Sequence, residues 1–123
     1  MSEKNRTILF VYGTLKFGQE NNHLLAGQEF IRAAETLPLY RLYGLGWHPG
    51  LVLDQAAGLA IKGELWSVDD ATIAKLDEFE GVPHWFRREF IAIADIVGDV
   101  QAYYFNGTVP ADATNGSEWP FPV

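Results

Sequence analysis

Residues 8 to 12, Ile-Leu-Phe-Val-Tyr, form an unbroken run of apolar, strand-forming side chains that stops at Gly13. A half-exposed strand alternates apolar and polar residues. A run with no polar member must be covered on both faces, so this segment is expected at the centre of a sheet. Such a strand needs a substantial core around it. With 123 residues, 48% apolar and 14% aromatic, the chain can supply one within a single domain over 1–123.

Later segments fill in the sheet. Phe30 to Leu37 and Leu39 to Gly44 read as extended on either side of Pro38, and Ala60 to Val68 alternates, with Ile61, Gly63 and Leu65 on one face. Phe90 to Val97 and Val100 to Phe105 flank Gly98-Asp99, a two-residue hairpin signal. The stretch from Gly44 to Asp54, rich in glycine and proline with Trp47 and His48 at its tip, reads as irregular. Residues 106–123 read as an irregular tail. Asn21 or Asn22 is placed to cap a short helix through Leu25 that Gly27 stops, and Asp69 to cap a longer one. Five or six strands with one strong helix describe an α+β fold, a small mixed-strand β-barrel with flanking helices that surrounds a pocket.

The longer helix, residues 70 to 80, carries one misplaced charge. At about 100° per residue and with Ile73 at zero, Leu76 falls at about 300°, Phe79 at about 240° and Glu80 at about 340°, inside the apolar stripe. Glu78, at about 140°, faces water, and Asp77, at about 40°, lies on the flank. A carboxylate buried in that stripe must be paired, or open into a cavity, or carry a raised pKa suited to proton transfer. Two readings of Glu80 stay open on the pattern: an ion pair with Arg87 or Arg88 at the frayed helix end, or a catalytic acid-base.

Other chemistries lack their residues. The formal charge of −7 and scattered basic side chains disfavour nucleic acid and anionic membrane surfaces. No cysteine is present, so thiolate nucleophiles and cysteine zinc sites are absent. Gly13 and Gly18 have P-loop spacing, but Gln19-Glu20 stand where Lys and Ser/Thr are required. His23, His48 and His84 have no metal-ligand spacing, and no serine sits in a nucleophile-elbow context, so neither a metal nor a cofactor is expected. No apolar segment approaches 18 residues and no secretory leader is evident, which points to a cytoplasmic protein with no membrane partner.

Two stretches then take on a joint meaning: Val11-Tyr12-Gly13-Thr14-Leu15-Lys16-x-Gly18-x-x-x-Asn22-His23, and Leu76-Asp77-Glu78-Phe79-Glu80-Gly81-x-Pro83-x-x-Phe86-x-Arg88. With Gly63-Glu64-Leu65-Trp66 and Ala102-Tyr103-Tyr104 between and after them, the chain resembles the gamma-glutamylcyclotransferase-like family, most of all its gamma-glutamylamine cyclotransferase branch. The resemblance implies a barrel-like sheet with a cavity at one end. It implies that Tyr12, Gly13, Thr14 and Leu15 bind the glutamyl part of a small-molecule substrate, and that Glu80 is the catalytic residue. The implied reaction is the closure of a gamma-glutamyl amine or amide to 5-oxoproline with loss of the amine, an intramolecular, amidine-lyase type of amine transfer. Phe86 departs from the tyrosine common at its position. Arg88 reads as structural, holding the turn or paired with Glu78 or Glu64, ahead of the alternative that it binds substrate. A non-catalytic protein of the same fold that only binds a small ligand is the alternative.

Overall fold

The computed structural model describes residues 6–122. The elements run β1 (Arg6–Val11), a 3-10 turn (Asn22–Leu25), β2 (Glu29–Glu35), β3 (Tyr40–Gly44), β4 (Pro49–Leu53), β5 (Lys62–Asp69), α1 (Asp70–Phe79), β6 (Phe86–Phe90), β7 (Gln101–Phe105) and β8 (Asn115–Gly116). The strands form one mixed sheet in the order β2-β5-β1-β7-β4-β3-β8, with β6 paired to β7. The sheet curls back on itself. Leu59, just before β5, bridges Tyr40 of β3, and the Lys62 N–H donates to the Ser117 carbonyl beyond β8 at 2.9 Å. The outcome is the barrel-like α+β architecture expected, with eight strands and one α-helix among the described residues.

The apolar run behaves as its composition requires. β1 lies between β5, antiparallel, and β7, parallel. Its alternate side chains enter two different cores: Phe10 and Tyr12 join Leu42, Leu51, Leu65 and Tyr104 inside the curl. Leu9 and Val11 join Trp66, Val68, Ile73, Leu76 and Tyr103 beneath α1. Asp69 caps that helix by accepting from the Thr72 N–H at 2.8 Å, and Ile73 and Leu76 are its buried residues. Phe79, expected on the buried stripe, is instead 43% exposed at the last turn.

Three local readings are corrected. Pro49–Leu53, read as irregular, is a strand, hydrogen-bonded antiparallel to β3 and bridged in parallel to β7. Gly98-Asp99 is not a two-residue hairpin: β6 and β7 pair from Phe86↔Phe105 to Phe90↔Gln101, and one further bond joins the Ile91 N–H to the Val100 carbonyl. Residues 92 to 94 turn instead to the end of β2, where the Leu37 N–H donates to Ala92 and the Ala94 N–H to Glu35, because Ile91 and Ile93 are drawn into the interior core. The tail is also less irregular than its composition suggests. Asn115 and Gly116 pair with Tyr43 and Leu42, Trp119 and Phe121 pack on the core, and Lys16 Nζ donates to the Trp119 carbonyl at 2.6 Å.

Candidate functional site

The polar turn after β1 is held in shape by its own side chains and backbone, while the amides of residues 13 to 15 find no partner among the described residues. The Asn21 side chain donates to Thr14 Oγ1 at 2.9 Å, the Asn21 N–H to the Thr14 carbonyl at 2.9 Å, and the Asn22 side chain to the Leu15 carbonyl at 2.8 Å. Asn21, expected as a helix cap, makes no side-chain cap to the 3-10 turn because it is committed to this loop. Glu64 on β5 takes the Phe17 N–H and the Trp66 indole N–H, fixing the exit of the turn. The N–H groups of Gly13, Thr14 and Leu15 donate to no described group, although all three residues are buried. Buried backbone donors are nearly always paired, so three consecutive unpaired ones mark a place for an acceptor from outside. Gly13 is needed on steric grounds as well: a Cβ there would stand 2.7 Å from Pro49 Cγ.

These residues line a cavity of about 650 Å³ at the end of the barrel. Glu80 lines it too, together with Phe79, Gly81, Trp85 and Phe86, while Trp47 and His48 come from the segment joining β3 to β4 and Pro49 from the start of β4. α1 ends where it does because Gly81 takes a positive φ of 68°, costly for any other residue, and its N–H closes on the Glu78 carbonyl. That stop leaves Glu80 at the C-cap, half-buried, with its backbone N–H bonded to Leu76 and its carboxylate accepting no hydrogen bond from a described residue. Burial without a partner pushes its pKa up from 4.5 to about 7.

The ion-pair reading of Glu80 does not hold. Arg88 forms a two-pronged pair with Asp77, at 2.8 and 2.9 Å, and also donates to Gln101; its partner is therefore neither Glu78 nor Glu64. Arg87 lies 5.0 Å over the Tyr104 ring and 3.9 Å from Glu89. Burial raises the Asp77 carboxyl, but hydrogen bonds from Arg88 and Tyr103 outweigh it and hold Asp77 below its ordinary value. Two carboxylates on one helix turn are thus set apart: Asp77 stays ionised as a strut, and Glu80 titrates near neutrality.

Tyr12 and Tyr103 line the same cavity. The Tyr103 hydroxyl donates to Asp77 at 2.7 Å. The Tyr12 hydroxyl donates to the Tyr103 carbonyl at 2.6 Å and accepts from the Leu51 N–H at 3.2 Å. Burial first, and then the nearby charge of Glu80, hold the Tyr12 phenol well above its ordinary pKa. The Tyr12 hydroxyl is therefore a neutral, fully committed group. The structure brings all five sequence-identified site residues to one cavity. Sequence reasoning missed Asn21 and Asn22 as loop clamps and Asp77 as the strut; the (i, i+3) spacing of Asp77 and Glu80 was the signal available for the last.

Residues 9–120 match the family described as gamma-glutamyl cyclotransferase, AIG2-like. A relative from Danio rerio named gamma-glutamylaminecyclotransferase C is 39% identical over 98 residues, covering 74% of this chain and 64% of the relative. The gamma-glutamylaminecyclotransferase of Bos taurus is 34% identical, covering 85% and 68%. The match thus spans about two thirds of the length of these curated relatives. The crystal structure of an AIG2-like protein from Mus musculus superposes with a TM-score of 0.81 at 24% identity, over 94% of this chain and 88% of that one, a likeness of fold.

Proposed function

Because the chain belongs to the gamma-glutamyl cyclotransferase, AIG2-like family, we propose that it cyclises a γ-glutamyl amine or amide, releasing the amine and 5-oxoproline. The observation that carries this is Glu80: a carboxylate with no hydrogen-bond partner among the described residues, its pKa raised to about 7, lining the same cavity as three main-chain N–H groups that donate to no described group. A site that only bound a ligand would gain nothing from keeping such a group desolvated and unpaired.

In this reading the N–H groups of Gly13, Thr14 and Leu15 hold the substrate α-carboxylate, so an acidic protein binds an anion without a cationic side chain. The γ-glutamyl chain folds back so that its α-nitrogen faces its own γ-carbonyl. Holding that conformer supplies much of the acceleration, because the nucleophile and the electrophile belong to one molecule. The Glu80 carboxylate removes a proton from the α-ammonium, and the resulting amine attacks the carbonyl carbon. A C–N bond forms to close the five-membered lactam, and the C–N bond to the leaving amine breaks. Glu80 returns its proton to the departing nitrogen. The lactam nitrogen gives its second surplus proton to water, and the free amine takes one up in turn. A pKa near 7 suits one group to both roles, since neither protonation state is costly to reach at neutral pH.

The test is to incubate the protein with a set of γ-glutamyl amines and dipeptides and follow 5-oxoproline and the free amine by mass spectrometry. Equal molar release of the two from at least one member is expected; no release from any member refutes the proposal.

A further inference from the structure

Trp47 and Trp85 have no part in the chemistry just described, yet they are the chain's most exposed tryptophans and both border the same cavity. Trp47 is 64% and Trp85 70% exposed, whereas Trp66 is 4%. Single apolar residues on a surface need no explanation, but large rings converging on one opening do. Trp47 stands edge-on to His48 at 4.3 Å, His48 is 6.0 Å from Phe86, and Phe86 is 5.7 Å from Phe105, so one side of the opening is a row of rings. Trp85 enters from the turn after α1, where it packs against Gly81: a Cβ at that glycine would meet the indole at 2.6 Å. The residue that ends the helix at Glu80 therefore also sets the position of Trp85.

The charges of the cavity point the same way. Among the described residues no lysine or arginine lines it, and the carboxylates that do are Glu78 and Glu80. If the amides of residues 13 to 15 hold the glutamyl carboxylate, a second carboxylate on the departing part meets like charge from Glu78 and Glu80 and no described lysine or arginine. A planar apolar group meets ring faces and edges and displaces water from them.

We propose that Trp47 and Trp85 form the subsite for the departing amine, and that this subsite selects amines with a planar apolar body and no carboxylate. The inference rests on the cyclotransferase reading of the cavity. Three γ-glutamyl amides separate the two ideas: those of ethylamine, of phenethylamine, and of phenylalanine, which is phenethylamine with a carboxylate added. With the unmodified protein, kcat/KM for the phenethylamide should exceed each of the others by about tenfold or more. Trp47→Ala and Trp85→Ala should each lower the ratio of phenethylamide to ethylamide by about threefold or more. Because the ratio is read, a general loss of fold, which lowers both rates together, does not imitate this result. Equal kcat/KM values for the three amides, or a ratio untouched by either substitution, overturn the inference and leave the cyclotransferase reading standing. No 5-oxoproline from any of the three overturns both.

Discussion

Replacing Glu80 with glutamine keeps the side chain's size and removes its charge, and its effect on stability should depend on pH in a defined direction. Burial raises the Glu80 pKa from 4.5 to about 7 in the folded chain. The folded state therefore holds this proton more tightly than the unfolded state. The contribution is fully present below about pH 4.5 and is lost as pH rises through about 7. The gap corresponds to at most about 3 kcal/mol, and because the side chain is half-buried rather than sealed, about 2 kcal/mol is the working figure. Glutamine carries no such dependence. Urea unfolding of both proteins at pH 5 and pH 8 gives the difference in unfolding free energy at each pH. The variant should gain about 2 kcal/mol on the parent between the two conditions. The Asp77 shift, which acts in the opposite direction, is common to both proteins and cancels. A difference that stays flat to within about 0.5 kcal/mol would mean that Glu80 is solvated in the folded chain, and the acid-base role assigned to it would lose its physical basis.

Other perturbations test the rest of the site. Gly13→Ala places a methyl 2.7 Å from Pro49 Cγ and should raise KM for a γ-glutamyl amide about tenfold or more by shifting the amide row; an unchanged KM would remove Gly13 from the substrate clamp. Asn22→Ala frees the Leu15 carbonyl and should cost about 1 kcal/mol in chemical denaturation, with KM affected more than kcat. Asp77→Asn weakens the two-pronged contact with Arg88 and should cost about 1–2 kcal/mol at pH 7. That loss should shrink as pH falls, because the lowered Asp77 pKa contributes stability only while the carboxylate is ionised.

What could be read in advance was whatever depends on short-range periodicity. The five-residue apolar run announced a strand buried on both faces, and the two cores that receive Phe10 and Tyr12 on one side and Leu9 and Val11 on the other account for its unbroken character. The helical count singled out Glu80 as the carboxylate inside the apolar stripe, at about 340°, and left an ion pair and an acid-base role both open. What stayed hidden depends on partners distant in sequence. β4 carries proline and glycine, which locally signal a turn; it is a strand because β3 and β7 offer hydrogen bonds on both edges. Gly98-Asp99 has hairpin chemistry, but the burial of Ile91 and Ile93 carries residues 92 to 94 to the end of β2 instead. The tail read as irregular because its partners are remote: Lys16, over a hundred positions away, holds the Trp119 carbonyl. Arg88 illustrates the same limit: its charge demanded a carboxylate, and only the fold chose Asp77 over Glu78 and Glu64.

The central claim is that Glu80 moves the protons of an intramolecular cyclisation. It is tested most directly by the rate of 5-oxoproline release from one γ-glutamyl amide, measured for the unmodified protein and for Glu80→Gln at pH 7 and saturating substrate. A fall in kcat of about 10²- to 10⁴-fold with the variant still folded is the predicted result. Release by Glu80→Gln at the rate of the unmodified protein would contradict it.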